Sequence, residues 1–113
     1  MTRLALCLVL LAAPAAALAD PALNDYPTEA RAGYVWTCMA VNGQSDDALR
    51  RCSCAIDTIA SILPYDAYVS AETVLRMQQT SGERAALFRS AAPATAAVTE
   101  LRRAEAEAEV ICF

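Results

Sequence analysis

The sequence predicts an all-α protein, a small bundle of four to five helices stapled by two disulfides. Three observations predict it. Apolar residues recur at helical spacing, as at Leu49, Cys52, Ile56, Ile59 and Leu63, and no segment alternates as a half-buried strand would. Helix caps, prolines and glycines punctuate the chain between these stripes. Four cysteines, Cys38, Cys52, Cys54 and Cys112, form an even set behind an export signal.

The signal occupies residues 1–19. Arg3 is its positive start, Leu4 to Ala13 its apolar stretch, Pro14 its helix break, and Ala17-Leu18-Ala19 its cleavage site. The apolar stretch is shorter than the about 20 residues that span a bilayer. Cys7 lies inside that stretch and not at the cleavage point, so no lipid-modified cysteine, and no stable membrane anchor, is expected after cleavage. Residues 20–113 remain as a single helical domain, small enough to need staples.

The turn-forming segment 20–27 (DPALNDYP) reads as an extended lead-in. A first helix is expected from Thr28, as its cap, to Val41, with Asn42-Gly43 ending it. A second begins after Ser45, with Asp46 and Asp47 in its first turn, and runs to Leu63, where Pro64 stops it. A third covers Tyr65 to Gln79, with Val69, Thr73 or Val74, and Met77 facing inward. A short fourth, Glu83 to Ala91, carries Leu87 and Phe88. The last starts at Pro93 and reaches Ile111, its inward face reading Ala97 or Val98, Leu101, Ala104, Ala108 and Ile111.

Geometry ranks the three cysteine pairings. Cys52 and Cys54 point about 200° apart around one helix, so each needs a different partner. The first two helices form an antiparallel hairpin about residues 42–45. Equal steps from that turn bring Val41 to Leu49, Cys38 to Cys52 and Tyr34 to Ile56. Cys54 is left for Cys112. The predicted bridges are therefore Cys38–Cys52 and Cys54–Cys112. A modest rotation of the second helix would give Cys38–Cys54 with Cys52–Cys112 instead.

Composition excludes several kinds of chemistry. The chain has nine basic and thirteen acidic residues, a net charge of −4, and loses Arg3 with the leader. Without a basic stripe, nucleic acid and anionic membrane surfaces are not expected partners. The chain has no His, which removes Ser-His and Cys-His nucleophiles, a His general base, His metal ligands and c-type haem attachment. No cofactor and no catalytic residue are expected.

Individual side chains carry weaker signals. Cys52 and Cys54 would suit thiol exchange if exposed at a helix start, or Cu(I) with Met39 and Met77, but they lie inside a helix with partners elsewhere. Asp57 is expected to pair with Arg50 or Arg51. Glu105, Glu107 and Glu109, near Arg102 and Arg103, read as a solvated helix face. Trp36 lies off the apolar stripe; it is expected to pack under the lead-in or the last helix, and if exposed it is a partner-binding anchor. Tyr65 and Tyr68, after Pro64, form a second candidate contact patch at a helix corner.

The stretch Cys52-Ser53-Cys54, Ile56-Asp57, Ile59-Ala60-Ser61 and Leu63-Pro64-Tyr65-Asp66, with Cys112-Phe113, resembles a class of short exported bacterial proteins. Some of these are encoded beside periplasmic quinoprotein alcohol dehydrogenases and their c-type cytochromes. The resemblance implies no activity, but it points to a periplasmic redox enzyme as partner. Gly33-Tyr34-Val35 and the late Cys112 are similar to the Rap1a-type periplasmic immunity proteins, from which Cys-x-Cys departs. Neither resemblance carries a functional residue over. The expected function is a non-catalytic periplasmic accessory protein acting through a protein partner. The alternative is a thiol-disulfide or copper-handling protein using Cys52 and Cys54.

Overall fold

The computed structural model describes residues 25–113. The expected leader, and the lead-in as far as residue 24, lie outside the described residues. Among the described residues there are five helices: α1 (Thr28–Asn42), α2 (Asp46–Ile62), α3 (Tyr65–Gln78), α4 (Glu83–Ser90) and α5 (Ala92–Cys112). No strand occurs among the described residues.

The boundaries follow local chemistry. Pro27 occupies the cap position of α1 with no side-chain cap, so Thr28 is the first helical residue and not the cap expected of it. Gly43 ends the helix at φ 102°, a conformation that favours glycine, and its N–H donates to the Met39 carbonyl at 2.9 Å. Ser45 caps α2 as expected, its hydroxyl accepting from the Ala48 N–H at 3.1 Å. Pro64 holds Leu63 extended and so terminates α2. Gly82, at φ 104°, separates α3 from α4, and Pro93 fits the first turn of α5.

Helix α2 is central, packed between α1 and α5, while α3 packs on α5 and α4 closes on both. Ile56 and Ile59 of α2 meet Leu101, Ala104 and Ala108 of α5, all essentially without exposed surface. The alanines let the two backbones approach closely, which a larger residue would prevent. Both disulfides are those expected: Cys38–Cys52 closes the α1–α2 hairpin and Cys54–Cys112 ties the end of α5 to α2, each with Cα atoms 5.8 Å apart. Arg51 adds to that second junction. Its Nη1 donates to the Phe113 carbonyl at 3.3 Å and its guanidinium lies 5.9 Å from the Phe113 ring centre.

Several inward assignments differ from expectation. Leu49 and Val41 are exposed because, among the described residues, no third element covers the turn end of the α1–α2 hairpin. In α3 the buried line runs through Tyr68, Ala71 and Leu75, while Val69 and Thr73 are exposed. A small alanine at the tightest contact carries little apolar signal, so the larger Val69 drew the assignment. Ile111 is 61% exposed because Cys112 must face Cys54, and its neighbour is then turned about 100° away.

Candidate functional site

The two flanks of α1 define two surface features. Cys38 aims α1 at α2, and α1 has no buried residue, so both of its sides remain open. On one side lies a furrow of about 450 Å³ between α1 and α2, lined by Val35, Trp36, Met39, Leu49, Ser53 and Ile56. On the other lies a cleft of about 670 Å³ between α1, α3 and α5.

Trp36 is two residues before Cys38, so it points about 200° away from the α2 contact. It is 76% exposed on the furrow's edge, which corrects the expectation that it packs under the lead-in or the last helix. A Trp side chain carries roughly 150–250 Å², and burying it is worth about 4–6 kcal/mol. Most of that is unrealised while the ring faces water. The far end of the furrow is closed by an ion pair between Arg31 and Asp57. Asp57 thus pairs across helices with Arg31; Arg50 and Arg51, its expected partners, bind Asp47 within α2. The reason is angular: Asp57 lies on the α1 side of α2, where a long cation from α1 reaches it.

Tyr65 and Tyr68 are half-buried and stack on one another at 6.3 Å. Both also contact the ring of Tyr26, each at 5.1 Å between centres. Tyr26 is 4% exposed, and its phenol donates to the Leu63 carbonyl at 2.9 Å. Next to it, the Asp25 carboxylate accepts from the Tyr65 N–H at 2.6 Å and so caps α3 from forty residues away. Arg31 holds the same segment, with Nε donating to the Tyr26 carbonyl at 3.4 Å and its guanidinium 5.6 Å from the ring centre. Residues 25–27 are therefore a strap across the junction of α2 and α3.

The candidate contact residues do not converge. Trp36 stands on the furrow side of α1, whereas Tyr65 and Tyr68 line the cleft with Tyr34. Burial raises the Tyr34 phenol above its ordinary value, reinforced by the carboxylates of Glu105, Glu109 and Glu72. Tyr68 is pushed up to about 12 by burial first, then by Glu72, Tyr34 and Glu105. Burial drives Tyr26 higher still.

Reading the sequence left Tyr26 in an extended lead-in and Glu105 and Glu109 on a solvated helix face, and did not single out Glu72. One signal was present: Tyr26 precedes the cap position of α1, the place from which an apolar residue packs back on the first turns of a helix. Its contact there is Arg31.

All four described cysteines are bonded, which marks an oxidising, extracytoplasmic environment. Among the described residues no three His, Cys, Asp or Glu side chains form a metal site, and no helix is long and apolar enough to cross a membrane. The class that the fold defines is a small disulfide-stapled helical bundle. No family model matches the chain, and no curated protein or solved structure matches it.

Proposed function

We propose that this is a non-catalytic accessory protein of the periplasm, exported by the leader at residues 1–19, which works by binding a protein partner through the Trp36 furrow. The observation that carries the reading is the 76% exposure of Trp36 beside a furrow floored by the buried Ile56. A large aromatic ring held on a rigid helix next to apolar surface is the usual make-up of an interface anchor. The hairpin that presents it is locked by Cys38–Cys52, so little ordering is lost on docking. The partner, on the resemblance noted in the sequence, is a periplasmic redox enzyme. The competing thiol-disulfide or copper reading needs Cys52 and Cys54 as free thiols; both are bonded, and Cys52 has no exposed surface.

The test immobilises the mature protein and its Trp36→Ala variant and exposes both to periplasmic extract of the source cells. The expected result is a defined species retained by the native protein and lost from the variant. Equal retention by both overturns the anchor. A thiol count on the unfolded, unreduced protein runs beside it: none is expected, and two reactive thiols at Cys52 and Cys54 would move the function to redox or copper chemistry.

A further inference from the structure

The cleft on the other flank of α1 has a composition that neither the fold nor the partner furrow requires. Three phenols, Tyr34, Tyr65 and Tyr68, share its wall with three carboxylates, Glu72, Glu105 and Glu109. These groups come from α1, α3 and α5, so only the tertiary fold assembles them. Glu105 is tied to Arg102 at 2.7 Å. Among the described residues the carboxylates of Glu72 and Glu109, and the phenol oxygens of Tyr34, Tyr65 and Tyr68, have no hydrogen-bond or ion-pair partner.

The aromatic rings are positioned independently of any ligand. Tyr65 and Tyr68 are held as a stacked pair against Tyr26, which is itself anchored through Leu63. Glu72 lies one helical turn after Tyr68 on the same face of α3, and Glu105 and Glu109 are one turn apart on α5. The charges that act on the Tyr34 phenol are all carboxylates. The cleft thus joins polarisable aromatic walls to a negative field in a volume typical of small-molecule sites. Strongly hydrated metal ions call for converging oxygens and not for aromatic walls. An alkylated ammonium, weakly hydrated and attracted by both ring faces and carboxylates, matches both features.

We propose that this cleft binds an organic ammonium headgroup, with Tyr34, Tyr65 and Tyr68 as its aromatic wall and Glu72 and Glu109 as its counter-charges. The site is separate from the Trp36 furrow. Two guanidiniums also line the cleft: Arg102 offsets Glu105, and Arg76 limits cation affinity by like-charge repulsion.

The test titrates the mature protein with choline and, in parallel, with 3,3-dimethylbutan-1-ol, which has the same shape with a neutral carbon in place of the nitrogen. Amide and aromatic NMR shifts report the site. Choline is expected to give saturable millimolar shifts at Tyr34 and Tyr68, and the neutral isostere to bind about tenfold more weakly. The Glu72→Gln/Glu109→Gln variant should lose about tenfold in choline affinity, and Arg76→Gln should gain. Both replace surface groups and keep the rings in place, and circular dichroism checks the fold. Phosphatidylcholine vesicles distinguish the source: co-sedimentation that depends on Glu72 and Glu109 assigns a lipid headgroup, and choline binding without it assigns a soluble ammonium. Trp36→Ala should leave choline binding unchanged, so failure of the partner reading and failure of this site are told apart. Absence of saturable shifts, equal binding of the isostere, or choline affinity unchanged in the double Gln variant overturns the proposal.

Discussion

The phenol of Tyr26 donates to the carbonyl of Leu63 at 2.9 Å, joining residues 37 apart in the chain. That carbonyl lies at the C-cap of α2, where backbone acceptors have lost their helical partners. One hydrogen bond therefore both satisfies a helix end and fixes the strap that orders the tyrosine cluster.

Replacing Tyr26 separates those two roles. Tyr26→Phe keeps the ring and loses the hydrogen bond, and should cost about 1 kcal/mol in urea unfolding. Tyr26→Ala also removes the ring against which the Tyr65–Tyr68 pair packs, and should cost about 3–5 kcal/mol. Equal losses for the two variants would show that packing of the ring contributes little.

Asp25 gives a second handle on the strap. Its carboxylate caps α3 at the Tyr65 N–H, so Asp25→Ala should cost about 1 kcal/mol. Amide exchange should quicken in the first turn of α3 and not in α4. A uniform change across all helices would rule out a local cap.

The phenols make a prediction at alkaline pH. Tyr68 is raised from 10.0 to about 12, and Tyr34 is raised as well. A folded value above the unfolded one means the native state holds the proton more tightly. The associated stability is complete below pH 10 and is lost as pH rises from 10 towards 12. Denaturant midpoints should be flat up to the start of that window and fall within it. Glu72→Gln removes a carboxylate acting on both phenols, so ultraviolet titration should show both ionising at lower pH.

The two bridges should differ in weight. Replacing Cys38 and Cys52 together by Ala opens the shorter loop and should cost about 3 kcal/mol; replacing Cys54 and Cys112 opens the longer one and should cost about 4 kcal/mol. Only the second change should free the last turn of α5, read as faster exchange around Val110 and Ile111. Unchanged exchange there would mean that Arg51 and Phe113 alone hold the helix end.

The helices were legible in the sequence because their signals are local. Ser45 caps the chain three residues ahead, Gly43 and Gly82 end helices by a conformation other residues avoid, and the period of Cys52, Ile56 and Ile59 states which side of α2 is buried. The bridges were legible for a related reason: a short turn sets the register of a helical hairpin, and the opposed directions of Cys52 and Cys54 left one partner for each. Arg31–Asp57, the depth of Tyr26 and the inward turn of Ala71 were not legible, because each depends on the rotation of one helix against another. By itself the sequence determined a bundle of four to five helices, where each stops, and a ranking that put Cys38–Cys52 with Cys54–Cys112 ahead of the alternative pairing. Only the tertiary structure decided that Trp36 stands in solvent and that Tyr34, Tyr68, Glu72 and Glu109 share one cleft. The physical reason is that, among the described residues, helix α1 packs chiefly along α2 and buries no residue fully: its two flanks are left partly open, and nothing in the local pattern of α1 announces how many neighbours it will meet.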